Sequence, residues 1–138
     1  MKVIKIGKDE WGTVSRDAHL LTFGEDRGDL DTIDFSLLAL DDERKAAGYV
    51  TCKEWDKVTL YWQYGGVMPR YKKTFSTFGI YKDLINWCKK DYFRITTKIE
   101  NNNKAMLRMA NMAGFLIQGT YNHHGKILVD HCLEFKGE

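Results

Sequence analysis

One proline (Pro69), three cysteines and almost no charge imbalance are the scarce features of this 138-residue sequence. A single proline leaves no room for a Pro-rich linker or a collagen-like repeat. Cys52, Cys88 and Cys132 are odd in number and widely spaced, so neither a disulfide framework nor a CxxC redox or zinc motif is available, and a reducing, cytosolic setting fits. Lys and Arg total 21 against 19 Asp and Glu, a net charge of +2 that is too small to imply a protein held to nucleic acid by phosphate contacts; only a local basic patch stays open. No apolar run reaches the roughly 18 residues of a membrane helix, and MKVIKIGKDEW alternates charge with apolar residues where a signal peptide has an apolar core. Neither membrane spanning nor export is expected.

What is present is a hydrophobic content of 43% and an aromatic content of 13%, enough for a core without disulfide or metal staples, and residues 1–138 are expected to form one domain. Val3 to Ile6 is β-branched and bounded by Gly7, a strand. Ser15 caps a predicted helix with Val14, Ala18 and Leu21 on one face and Gly24 as its stop, followed by a polar loop over 24–31. Ile33 to Leu40 and Ala47 to Lys53 read as a hairpin around the charged DDERK, and Val58 to Tyr64 as a third strand of the meander. Gly65 and Gly66 end that strand, which suggests a bulge or a close backbone approach, a ligand being one candidate. Phe78, Tyr81, Leu84, Ile85 and Cys88 have helical spacing within Thr77 to Lys90, and Phe93 to Ile99 alternates as a strand. Asn101 to Asn103 supply the next N-cap, Met106, Met109, Ala110 and Ala113 share a helix face, and Gly114 stops it. Phe115 to Tyr121 and Lys126 to Phe135 form a last hairpin around NHHG. The Met106, Met109 and Met112 series reads as core.

The order β α β β β α β α β β predicts an α/β (α+β layered) domain: a mixed, mostly antiparallel sheet of about six to seven strands with about three helices. The strand ending at Tyr64 and the strand Phe93 to Ile99 are expected to run parallel, joined by the Thr77 to Lys90 crossover, and to splay apart past Gly65.

Among chemistry-bearing residues, His131 has the side chain whose ordinary pKa suits a general base for an amine. His123, His124, Asp130, His131 and Cys132 are metal-ligand types, but neighbours in a turn diverge and strand neighbours alternate faces, so no metal site is expected. Glu54 is an alternative carboxylate. Arg70, Tyr71, Lys72, Lys73 and Phe75 interleave basic and aromatic residues, which suits either single-stranded nucleic acid or a phosphate-bearing cofactor.

The run ITTKIENNNKAMLRMANMAGF, Ile95 to Phe115, resembles the GNAT superfamily of acyl-CoA-dependent N-acyltransferases, which there has a strand, an Asn, a helix and Gly-Phe. Asn103 precedes Gly114 by eleven residues, as in the family. Phe115 to Gly119 and then Asp130 to Phe135 are similar to the ending of the branch that modifies protein N-termini, with Gln118 where Glu is usual. Val67-Met-Pro69-Arg-Tyr71-Lys-Lys resembles the V-x-P-x-Y segment, followed by basic residues, that leads into the pyrophosphate loop. Phe75 and Thr77 stand where that loop has glycines, so the loop is degenerate, and Ala110 stands where many members have a Tyr general acid.

The resemblance implies acetyl-CoA or another acyl-CoA as cosubstrate and a primary amine, on a protein or small molecule, as acceptor. It implies that Gly65, Gly66 and Val67 offer backbone N–H groups to the thioester, and that Lys72, Lys73, Thr74, Ser76 and Thr77 border the pyrophosphate. Asn103 would contact the pantetheine arm, and Gln63 and Tyr61, with His131, are the candidate base or water-holding residues. Two other readings stay open: a GNAT-like structural or interaction protein without catalysis, for example virion-associated, and a Mom-like modifier of nucleic-acid bases. A compact phage-encoded member, working in the host cytoplasm or in a virion, fits the degenerate loop.

Overall fold

The computed structural model describes residues 1–7, 33–72 and 76–135. The helix expected after Ser15 and the loop over 24–31 lie outside the described residues. The chain forms β1 (Lys2–Gly7), β2 (Phe35–Leu40), β3 (Ala46–Glu54), β4 (Thr59–Val67), a 3-10 turn (Pro69–Tyr71), α1 (Ser76–Cys88), β5 (Arg94–Glu100), α2 (Lys104–Ala113), β6 (Leu116–His123) and β7 (Lys126–Glu134). All seven strands join one sheet in the order β1-β2-β3-β4-β5-β7-β6. Every neighbouring pair is antiparallel except β4 and β5, which run parallel with α1 as the crossover between them.

Local chemistry fixes both hairpin ends. At the β2–β3 turn the Asp41 carboxylate accepts the N–H groups of Glu43 and Lys45, each at 2.9 Å, and Arg44 takes a left-handed φ of 63°, so the charged DDERK closes on one side chain. At the β6–β7 turn His124 (φ 50°) and Gly125 (φ 81°) are both left-handed, the two-residue geometry that matches the strand twist. Asn103 caps α2 by accepting the Met106 N–H at 3.3 Å, and Gly114 ends it at φ 94°.

The core lies mainly on one face of the sheet. Ile80, Tyr81, Leu84 and Ile85 of α1 and Met109 and Ala110 of α2 form one cluster with Phe35, Leu37, Leu60, Trp62, Ile95 and Ile99. The helix α1 comes so close to β3 that a Cβ on Gly48 would stand 2.6 Å from the Ile80 side chain, so a glycine is required there. A smaller cluster, Ile6, Ile33, Leu38, Tyr49 and Met68, lies on the opposite face.

Three expectations need correction. The strand β4 does not stop at Tyr64 but continues through both glycines to Val67, because β3 keeps pairing with it. Its pairing with β5 ends earlier, at Trp62 opposite Thr97, so the two strands part there and not past Gly65. Met112 is 60% exposed and lies outside the core, since helical rotation turns it away from Met109. The described residues contain two α-helices where about three are expected for the whole chain.

Candidate functional site

The parting of β4 and β5 creates a wedge in the middle of the sheet. The Thr97 hydroxyl donates to the Trp62 carbonyl at 3.0 Å and closes its apex. Beyond this point β4 follows β3, while β5 follows β7 as far as Glu100. The divergence coincides with a β-bulge: Thr51 opposes Tyr64 and Cys52 opposes Trp62, so Gln63 is the extra residue. The buried Thr51 hydroxyl accepts the Tyr64 N–H at 2.9 Å, replacing the ladder bond that the bulge interrupts. A bulge was expected at the glycines; a hydroxyl on the facing strand places it two residues earlier.

The bulge decides which peptide groups face the wedge. The N–H groups of Tyr64 and Met68 both point to β3, the latter bonding the Ala47 carbonyl at 2.8 Å. Strand alternation then turns Gly66 to β3 as well, and turns the peptide groups of Gly65 and Val67 into the wedge.

Both helices start at its wide end. Parallel β4 and β5 bring their C-termini to one edge of the sheet, and α1 and α2 begin just beyond those two ends. Neither helix carries an acidic residue in its first turn, so neither positive dipole end is offset by a carboxylate of its own helix. Thr77 binds the Tyr71 carbonyl through its hydroxyl at 2.6 Å, which fastens the start of α1 to the 3-10 turn and leaves that hydroxyl engaged within the fold. Lys72 is exposed beside it. Lys73, Thr74 and the side chain of Ser76 lie outside the described residues.

The basic and aromatic stretch expected to form one ligand surface is divided. Arg70 donates to the Ala46 carbonyl at 2.6 Å and to the Asp41 carboxylate at 3.1 Å, and the Tyr71 hydroxyl donates to the same carboxylate at 3.0 Å. Both side chains therefore brace the β2–β3 turn. The carboxyl of Asp41 is held below its ordinary range, first by the Lys45 backbone N–H and then by these side chains.

The three residues expected to do the proton chemistry are not brought together. Tyr61 and Gln63 are half-buried beside the wedge, Tyr61 at the paired stretch and Gln63 at the bulge. Burial raises the Tyr61 phenol above its ordinary range. His131 pairs with Thr97, whereas Tyr61 pairs with Thr96, so the two face opposite sides of the sheet. His131 is only 2% exposed, with Nδ1 3.0 Å from the Val129 carbonyl and its ring edge-on to Phe115, so it sits in the core where an amine does not reach. Glu54 accepts the Tyr92 hydroxyl at 2.6 Å at the narrow end, away from the wedge. Ala110 is fully buried in the helix-side core.

Other reactive groups are silent. Burial pushes the Cys88 thiol up to about 12, and burial likewise raises Cys52. Among the described residues no three His, Cys, Asp or Glu side chains converge on a point; the His123 and His124 rings meet edge to face, their centres 4.3 Å apart. No helix among the described residues is long and apolar enough to cross a membrane.

Sequence reasoning missed Lys98. Its ammonium lies 5.5 Å from the Tyr61 ring centre and 5.1 Å from that of Tyr121, on the first β5 position past the last β4 pair. The only signal was its place as a polar position in the alternating Arg94, Thr96, Lys98 series, which reads as a solvated strand face.

A parallel pair splayed by a bulge within an antiparallel sheet, with two helices starting at its wide end, is the arrangement of the GNAT fold, and solved structures bear this out. A GNAT-family acetyltransferase from Elizabethkingia anophelis with acetyl-CoA bound superposes at a TM-score of 0.71, with 15% identity over 96% of this chain and 98% of that one. The ribosomal-protein-S5-alanine acetyltransferase of Vibrio fischeri gives 0.72, with 13% identity over 98% and 93%. The spermidine/spermine N-acetyltransferase SpeG of Vibrio cholerae, in mutant forms, gives 0.72, with 9% identity over 96% and 93%. No family model and no curated protein matches the sequence. The chain has the GNAT fold.

Proposed function

We propose that the protein is an acyl-CoA-dependent N-acyltransferase that passes an acetyl group from acetyl-CoA to a primary amine. The observation that carries the reading is the wedge itself, with the peptide groups of Gly65 and Val67 turned into it and two acid-free helix N-termini at its wide end. Backbone N–H donors fixed in a strand are preorganised to polarise a thioester carbonyl and to hold the oxyanion that forms on attack. The start of α1 and Lys72 suit the pyrophosphate, and Lys73, Thr74, Ser76 and Thr77 remain candidates for the same anion from their place in the sequence.

The amine attacks as a neutral base, so its proton has to leave through a side chain or a water chain. Gln63 and Tyr61 border the partly exposed route beside the wedge and would hold such a water. Ala110 offers no phenol to the departing sulfur, and a thiolate is a good enough leaving group to depart unprotonated.

A thermal shift with acetyl-CoA at about 100 times Kd is expected to add about 2.7 kcal/mol of stability, and a panel of amines is expected to release free thiol. Neither a shift nor thiol release would favour a GNAT-like structural or interaction protein instead.

A further inference from the structure

The side of the wedge away from the helices carries a cation with no ion-pair partner among the described residues. Lys98 lies on β5 just past the apex, and its ammonium rests against the rings of Tyr61 on β4 and Tyr121 on β6. Asp130 stands opposite Lys98 in register on β7, yet none of the ion pairs among the described residues involves Lys98. Two other cations nearby are already matched, Arg94 with Glu134 and Lys126 with Glu100. Trp55, 67% exposed, stands edge-on to Tyr61 at 6.3 Å and extends the aromatic wall.

This arrangement constrains what approaches the wedge from the open side. Among the described residues Trp62, Val67 and Ile99 close the helix side, so an acceptor that reaches the wedge from the other face passes Tyr61, Gln63 and Lys98. A fixed ammonium at that entrance repels a second cation and attracts an anion, and it also disfavours the protonated form of an incoming amine. The Tyr61 and Tyr121 rings attract the ammonium itself and favour its charged form. The Tyr121 hydroxyl, as its hydrogen-bond partner, holds Lys98 above its ordinary range.

We propose that the acceptor is an amine carrying an anionic group, which pairs with Lys98 while an apolar or aromatic body lies along Tyr61 and Trp55. This inference rests on the N-acyltransferase reading and narrows it: polycationic amines are disfavoured and acidic ones favoured.

The test uses three benzylamines of one shape, 4-(aminomethyl)benzoate, 4-(aminomethyl)benzamide and 1,4-bis(aminomethyl)benzene, with the full chain, acetyl-CoA and a thiol-release readout. The expected order in kcat/KM is carboxylate, then amide, then diamine, with at least about tenfold between the ends, equal to about 1.4 kcal/mol in barrier. Lys98→Met keeps the packing between the two tyrosines and leaves Asp130 as the remaining charge, so the order is expected to reverse. Tetrapeptides with Glu, Gln or Lys after the N-terminal residue distinguish a peptide acceptor from a free acid, and an acid preference in either set supports the proposal. Turnover with no preference, or a diamine preference in the parent chain, overturns the proposal and spares the transferase reading. If no thiol is released, calorimetry of the benzoate with the parent and Lys98→Met proteins decides: binding that the substitution abolishes supports the anion site, and equal or absent binding overturns it.

Discussion

The two faces of the sheet around the wedge are built on different terms. On the helix side Leu60, Trp62, Ile95 and Ile99 are all at most 4% exposed and packed under α1 and α2. On the other side Tyr61 is half-buried, Lys98 is exposed and Trp55 stands in solvent. The strand residues of both sets come from β4 and β5, in strict alternation. The difference teaches that at the wedge itself the helix side is packed for stability, while the Tyr61 and Lys98 side, outside the smaller cluster under β1 to β3, is exposed enough to carry recognition, so substitutions at these two sets of residues should separate in what they change.

The largest expected effect breaks the dry face. Leu84, fully buried in α1 against the sheet, leaves a cavity when shortened, and Leu84→Ala should cost about 2 to 5 kcal/mol in urea unfolding. Lys98→Ala on the other face should stay within about 0.5 kcal/mol. Comparable losses from both would dissolve the distinction.

Ala110→Tyr follows. The site is closed core, so the added ring overpacks it and should lower stability by about 1 to 3 kcal/mol, read as a fall in thermal midpoint. A phenol accepted without loss would mean that the wedge extends to α2 and that a general acid has room there.

Thr51→Val tests the bulge that parts the strands. It keeps the shape but leaves the Tyr64 N–H without its acceptor, at a cost of about 1 to 3 kcal/mol. If the wedge binds acetyl-CoA, affinity in calorimetry should fall with it, since Gly65 and Val67 lose their fixed direction. A stability loss with unchanged affinity would detach the bulge from the site.

The smallest effect concerns pH. The folded state holds the Asp41 carboxyl below its ordinary value, so Asp41 contributes stability above the unfolded pKa near 3.9 and loses it as pH falls through the lower folded value. Stability of the parent chain should therefore drop more steeply below about pH 4 than that of Asp41→Asn, measured by unfolding at several pH values. Parallel profiles would show that the turn bonds do not depend on the charge.

Most of the fold was legible because alternation and punctuation were strong. Gly7, the Asn101 to Asn103 run, Gly114 and the NHHG turn each mark a boundary by backbone chemistry that needs no tertiary context. The exact parting of β4 and β5 was not legible, because it depends on Thr51, a residue of the facing strand that carries no local signal. Gly48 was silent for the same reason: only the approach of Ile80 makes a glycine necessary there. At the site, the Gly65 and Gly66 pair marked a special stretch of backbone but not which of its peptide groups leave β3, while His131 misled because its chemistry is visible in sequence and its burial is not. Lys98 was the reverse case, an ordinary polar strand position whose meaning comes from two tyrosines on other strands. Arg70 and Tyr71 looked like part of a ligand surface until Asp41, far away in sequence, claimed both.

The central claim is that the wedge between β4 and β5 takes the acyl-CoA. Backbone amide shifts of the isotope-labelled protein during an acetyl-CoA titration test it most directly. The account predicts that the largest changes fall on Gly65 to Val67, on the first turn of α1 from Thr77, and on Asn103 to Met106 at the start of α2. Changes confined to the groove between the far ends of the helices, around Asn86, Lys89 and Met112, or no changes at saturating acetyl-CoA, would contradict it.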